Sequence, residues 1–473
     1  MASPCRSAWE GLPPEIYEQV LAYMDDDMLL TLSKVNRLFN YTVLNTFLDA
    51  MTLDEVLDEL KFSNIPPRCM SRTNVVEALR LSLRVQRLEH IHFRLSASSP
   101  LNELQSMKLL IDRLPTLNTL ELELRGAASD NRELGFSLAR AAADACDSAV
   151  AKGCETLKLE RLLSFGPPGR EPYSASLNHT PRPYSQTIKR LGYVHLCGAF
   201  LLSPLLTYTP TLLQSCSQTI HTLCFDVSTI IVPRLNWDEF LSSLYLPNLQ
   251  TFLFDNVVHT RLAPACISKF LKRHPGITTL RLYYGLLRSH DLALQTTQPP
   301  ALPNLVKLEA SRGILTWLFQ DPSSCLNVNE VTIPHVDDPI EVLYPIVGPS
   351  RAFQSNQLKI VIKLNPLLRL WLDWMGKLIE SEGSGEKNSR LKELRVVRLA
   401  FRFDAAISSL DEKAVLCLAR FVALIPGLRH LEMIRDSSES EEAEEEVTAE
   451  RVMYNTVFEA CPNLASFTFV SSD

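Results

Sequence analysis

The sequence predicts an α/β fold: a group of short N-terminal helices, then a curved parallel sheet with helices on its convex side. Three observations predict it. Apolar residues recur every three or four positions between residues 12 and 48. Beyond residue 85 a nine-residue pattern, x-P-x-L-x-x-L-x-L, returns repeatedly. Helical amphipathic stretches stand between its copies.

The N-terminal helices come first. Pro13 and Pro14 sit where a helix can begin, because its first turn leaves N–H groups without intrahelical partners. Ile16, Val20 and Met24 recur every four residues beside Leu21, which makes one apolar stripe. Asp25, Asp26 and Asp27 break this helix and cap the next. Leu29, Leu32 and Val35 face one way on the second helix, and Phe39, Val43, Leu44, Phe47 and Leu48 mark a third. Helices this short cannot hide so many apolar groups among themselves. Leu12, Ile16, Val20, Leu21, Leu29 and Leu32 are expected to form an exposed patch, which calls for a protein partner.

The repeat follows. It reads LPTLNTLEL (114–122), LPNLQTFLF (246–254), HPGITTLRL (274–282), LPNLVKLEA (302–310), IPGLRHLEM (425–433) and CPNLASFTF (461–469). Copies without the Pro are VQRLEHIHF (85–93), SQTIKRLGY (185–193), SQTIHTLCF (217–225), CLNVNEVTI (325–333) and RLKELRVVRL (390–399). Segments 153–162 and 356–364 fit in an ambiguous register. In L-x-L the two apolar side chains share one face of a strand and enter the core, while their neighbours face outward. The Pro ends the preceding helix. Helices are expected over 133–152, after Asn236 as cap, in ACISKFLKRH, after Asn365 and Pro366, in DEKAVLCLARFVAL, and after Thr448 as cap. Helix, turn and strand in that order give a parallel sheet of about a dozen strands. Leading apolar residues 23 to 37 positions apart and the L-x-x-L-x-L spacing are the signature of a leucine-rich-repeat solenoid. Two segments stand outside the repeat: 163–187, rich in Pro, Gly and Ser, and the acidic run 436–450, both expected as flexible loops.

The segment L-P-x-E-I-x-x-x-V-L-x-Y-M, then L-x-x-L-S-x-V-N-R-x-F, resembles the F-box, particularly that of the large fungal F-box sets. Leu12, Pro13, Glu15, Ile16, Val20, Leu21, Leu32, Val35, Arg37 and Phe39 fall on its usual positions. The chain departs from the pattern at Asn36, where the family has Cys or Ser, and at Met28, where it has an acidic residue. The organisation implied is an F-box at 8–50, a helical linker at 51–84 and the solenoid at 85–473. The resemblance implies a Skp-family adaptor as partner and, through it, a cullin scaffold. The expected adaptor-binding residues are Leu12, Pro13, Ile16, Val20, Leu21, Leu29, Leu32 and Val35. It implies the non-catalytic substrate-recognition subunit of a Skp–cullin–F-box ubiquitin ligase, with a protein target held by the repeats. A repeat scaffold with no role in ubiquitination is the alternative.

Target contacts are expected on outward positions of the strands: Glu121, Glu123, Asp226, Asp255, Arg281, Tyr283, Lys307 and Glu309. Asp226 and Asp255 occupy the same slot in consecutive repeats and should lie side by side. They either face water or pair with Arg281, or they receive a basic side chain of the target.

Composition bounds the rest. A formal net charge of -7 over 473 residues, with basic residues singly or in pairs, gives no reason to expect nucleic acid. No apolar run reaches the length of a membrane span, and the first residues do not read as a secretory signal. Eleven scattered cysteines without a CxxC read as reduced thiols, in the cytoplasm and/or nucleus. Phosphate-binding, nucleophile-elbow and zinc-protease motifs are absent, so no cofactor, metal or catalytic residue is assigned. His90 and His92 read as two exposed histidines on one strand.

Overall fold

The structure is a computed structural model. It describes residues 13–35, 37–49, 59–61, 72–82, 88–95, 99–123, 132–160, 190–197, 200, 205, 207–226, 236–257, 264–284, 297–334, 343, 346–347, 358–364, 394, 396–403, 412–436 and 443–472. The chain divides into two compact units, Met1–Ile220 and His221–Asp473.

The first unit begins with α1 (Pro14–Ala22), α2 (Asp26–Ser33) and α3 (Arg37–Asp49). Asp25 caps α2 as expected, accepting the Met28 N–H at 2.8 Å. Then come β1 (Glu59–Lys61), α4 (Arg72–Leu81), β2 (His90–Arg94), α5 (Pro100–Arg113), β3 (Thr119–Glu123), α6 (Arg132–Ala151), β4 (Thr156–Glu160), β5 (Tyr193–Cys197) and α7 (Tyr208–Ser215). Strands β1 to β5 pair in chain order, all parallel. α3 is tied to its neighbours by the buried Asn40 amide, which donates to the Ser33 carbonyl at 3.3 Å and the Leu81 carbonyl at 2.9 Å.

The second unit holds β6 (Thr222–Asp226), α8 (Trp237–Ser243), β7 (Thr251–Val257), α9 (Pro264–Arg273), β8 (Thr279–Tyr284), β9 (Lys307–Ala310), α10 (Arg312–Leu318), β10 (Glu330–Ile333), β11 (Lys359–Leu364), β12 (Arg398–Phe403), α11 (Glu412–Ala423), β13 (His430–Asp436), α12 (Ala443–Ala460) and β14 (Ser466–Ser472). Strands β6 to β14 are again parallel and in chain order. The fold is therefore α/β, built on a parallel repeat.

One backbone device recurs in both units. The carbonyl just before a strand accepts two successive N–H groups at the start of the next. Asn118 and Thr119 donate to Glu89, Glu155 and Thr156 to Asn118, and Gly192 and Tyr193 to Glu155. Thr278 and Thr279 donate to Gln250, Val306 and Lys307 to Thr278, and Ala465 and Ser466 to Arg429. The Pro turns stack as well: Asn304 donates to the Pro275 carbonyl at 3.1 Å and Asn327 to that of Pro303 at 2.6 Å. In the IPG copy the position is Gly427, where a Cβ would meet the Val396 carbonyl at 3.3 Å.

Helices pack side by side, and basic residues close their ends. Arg113, at the end of α5, donates to the Leu79 carbonyl at the end of α4 at 3.1 Å. Lys152, just past α6, reaches the Asp112 carbonyl at 2.7 Å. Arg273 of α9 reaches Leu241 and Ser242 of α8 at 2.6 and 2.8 Å. The last carbonyls of a helix lack intrahelical partners and carry the negative end of its dipole, so a cation there is favourable. Asn236 caps α8 as expected, accepting the Glu239 N–H at 3.3 Å.

His274 of the HPG copy is a buried link of the same kind. Its Nε2 accepts the Leu246 N–H at 3.0 Å, so its Nδ1 carries the proton and donates to the Phe270 carbonyl at 2.7 Å. Burial holds its pKa below the usual value. The unfolded chain therefore takes up this proton at higher pH than the folded one. The contribution is whole above about pH 6.5 and is lost as the pH falls below it. His274→Ala should cost about 1–3 kcal/mol at neutral pH by orphaning the Leu246 N–H. Urea melts should show the gap to wild type narrowing from about pH 7.5 to about pH 5. A constant gap would contradict a neutral His274.

The structure corrects several sequence expectations. Residues 51–84 are not only helical, because β1 pairs with β2 there and the ladder begins at Glu59. The strand of the 185–193 copy lies further on, at 193–197, with Leu191 leading and Val194 and Leu196 buried. That of 390–399 lies at 398–403, with Val396 leading and Leu399 and Phe401 buried. Thr448 is not a cap: α12 starts at Ala443, inside the run expected as a loop. Ala and Glu propagate a helix well, and acidic residues suit its first turn. The 163–187 loop, the helix after Pro366, Phe47 and Leu48 as side chains, and Leu12 lie outside what is described.

Candidate interaction surfaces

The first surface is on α1 and α2. Leu21 is buried, and so are Leu29, Leu30 and Ser33. These residues form the inner faces. The outer faces are apolar too. On α1 and its C-cap, Ile16, half-buried Val20 and Tyr23 are spaced four and three apart, the spacing of one helical stripe. On α2 and the turn after it, Met28, half-buried Leu32 and Val35 repeat that spacing. Ile16 is 43% exposed, Tyr23 92%, Met28 57% and Val35 65%. Leu29, Leu32 and Val35 do not share one face, contrary to the spacing: Leu29 points inward and the other two outward. Among the residues expected at the adaptor, Pro13, Ile16, Val20, Leu32 and Val35 are accessible, whereas Leu21 and Leu29 pack inside. Tyr23 and Met28 were missed, although their spacing from Val20 and Leu32 was a legible signal.

The second surface is the outward sheet face of the first unit. Glu123 is buried, with its carboxylate 2.6 Å from Arg94 Nε and 3.6 Å from His92 Nε2. Glu121 lies 3.7 Å from Lys158, and Glu160 lies 3.6 Å from His195. His90 and His92 are half-buried, not exposed.

The third is the outward face of the second unit. The register places Asp226 beside Asp255, as expected. Arg281 Nη1 lies 3.4 Å from Asp255, and its Nε donates to Glu309 at 2.7 Å. Glu309 also receives Lys363 and the Tyr283 hydroxyl, and Lys363 donates to the Tyr283 oxygen at 3.0 Å. Lys363 comes from β11 and passes β10, where the intervening residue is the buried Thr332. Lys359 likewise passes Ala400 of β12 to pair with Glu432. Burial raises the Asp255 pKa, Arg281 opposes the rise, and Glu309 and Asp226 add to it. Burial would raise that of Glu309 as well, but Arg281 and Lys363 outweigh it and hold the carboxyl below its usual range. Burial and Glu309 push the Tyr283 phenol up. Arg281 and Tyr283 are thus half-buried members of a cross-strand network, not exposed side chains. The arrangement matches the reading in which Arg281 answers Asp255. Lys307 is exposed.

The chemistry on these faces is ion pairing and apolar contact. Among the described residues no group of His, Cys, Asp and Glu is placed to hold a metal, and no helix is long and apolar enough to cross a membrane. Comparison with models of known protein families and with curated proteins found no match.

Proposed function

We propose that the chain is the substrate-recognition subunit of a cullin–RING ubiquitin ligase. Its α1–α3 segment acts as an F-box that docks a Skp-family adaptor, and its parallel repeats form a leucine-rich-repeat solenoid that holds a protein target. The observation that carries this reading is the pair of outer stripes, which coincide with the F-box-like sequence. Of twelve exposed large apolar residues among those described, five (Ile16, Tyr23, Met28, Val35 and Tyr41) fall between residues 16 and 41. An apolar surface concentrated in this way is what a protein partner covers. The chain performs no bond chemistry in this reading. It raises the effective concentration of the target's lysines near the charged ubiquitin-conjugating enzyme, in the cytoplasm or nucleus. The test is proximity labelling from the tagged chain, with and without proteasome inhibitor. A set of proteins that accumulates only with inhibitor is expected. An unchanged set would leave the scaffold reading in its place.

A further inference from the structure

The outward face of β9 to β12 carries a positive strip, in a chain whose formal net charge is -7. Lys307, Lys359, Lys363, Arg398 and Arg402 stand on it, against Glu309 and Glu330. The register sets Lys359 beside Arg398 and Lys363 beside Arg402. Neighbouring strands lie about 4.8 Å apart, so like charges are held close on both rungs. The rung between them is Thr332, Val361 and Ala400, all buried. Its small side chains leave room for the lysine stems, and Lys359 reaches past Ala400 to Glu432 while Lys363 reaches past Thr332 to Glu309. These two pairs answer the lysines of β11 only. Arg398 on β12 and Lys307 on β9 are exposed, and neither makes an ion pair among the described residues. In their row, Lys307, Glu330, Lys359 and Arg398, a single carboxylate stands among three cations.

An excess of cations held in register on an open face is relieved by anions from outside. The kind of anion follows from what interrupts the strip. A continuous phosphate backbone would meet Glu309, Glu330 and Glu432, whereas separate carboxylates on a peptide can settle between them. Bases would also need a ring to stack on. Tyr283, on the adjoining β8, is already engaged: its hydroxyl donates to Glu309, and Arg281 and Lys363 lie 5.9 and 5.7 Å from its ring centroid. We infer, on the reading that the repeats hold a protein target, that this strip is where they hold it and that it takes an acidic segment of that protein. Arg398 and Lys307 make the new ion pairs, and Lys359, Lys363 and Arg402 add to the attraction.

The test is fluorescence anisotropy of a fluorescein-labelled peptide of alternating glutamate and serine, titrated with the purified full-length chain. A glutamine–serine peptide and an oligothymidylate serve as comparisons. The glutamate peptide should bind, the glutamine peptide should not, and binding should weaken as sodium chloride rises from about 20 to about 200 mM. Arg398→Glu with Lys307→Glu should weaken it by about tenfold or more with the melting temperature unchanged. Lys269→Glu with Lys272→Glu makes the same change of charge at exposed positions of α9 and should leave binding as it was. No binding of the glutamate peptide at the lowest salt, equal weakening by the two double variants, or tighter binding of the oligothymidylate overturns the inference. Adaptor docking is read on a different surface. Peptide binding by a chain that takes up no adaptor keeps this site and removes the ligase reading, and adaptor binding without peptide binding does the converse.

Discussion

Leu280→Asp is expected to unfold the second unit. Leu280 is fully buried on β8, flanked in register by Phe252 and Leu308, both also buried. An aspartate there would be a buried charge between apolar in-register neighbours, which places the cost above about 4 kcal/mol. Each repeat rests on its neighbours, so the loss should spread along the ladder instead of staying local. The adjacent Arg281→Ala serves as contrast. It keeps the core and removes the cation shared by Asp255 and Glu309, while Glu309 retains Lys363 and Tyr283. Its cost should be about 1–3 kcal/mol. Thermal melts followed by circular dichroism separate the two, and equal losses would mean that the strand faces are assigned wrongly.

The second large effect is on adaptor binding. If the outer stripes of α1 and α2 are the docking surface, changes there should abolish binding and leave the fold alone. Burying a side chain of this size contributes about 1.5–3 kcal/mol, and a charge in the interface costs more. Leu12→Ala with Pro13→Ala and Ile16→Asp, or Val35→Asp by itself, should reduce adaptor pull-down to background with the melting temperature unchanged. Leu29→Asp acts on the inner face and should lose binding only together with helical order. Undiminished pull-down by the triple variant would remove the F-box assignment.

The Pro-marked repeats were legible because two local signals coincide there, a helix breaker and an apolar triplet. Where Pro is missing the triplet stands alone. The pattern then points several residues early at the copies led by Leu191 and Val396, and LDELKF (57–62), which has the spacing of β1, does not stand out from its surroundings. The N-terminal helices show a different limit. Periodicity finds a stripe but does not say which side is covered, and on α1 both Met24 and Tyr23 continue the Ile16–Val20 series. The packing of the other helices decides. The outward-face network was the least legible part, because Lys363 and Lys359 each reach past a strand to their partners. Nothing local in the sequence couples residues 54 or 73 positions apart.

Docking of a Skp-family adaptor by α1 and α2 is the step on which the proposed function rests. Its most direct test is titration of the purified full-length chain with a purified adaptor, read by calorimetry. Saturable one-to-one binding in the micromolar range or tighter, about -8 kcal/mol or better, is expected, and it should disappear in Val35→Asp. No heat of binding from a folded wild-type chain, or binding that Val35→Asp leaves unchanged, would contradict it.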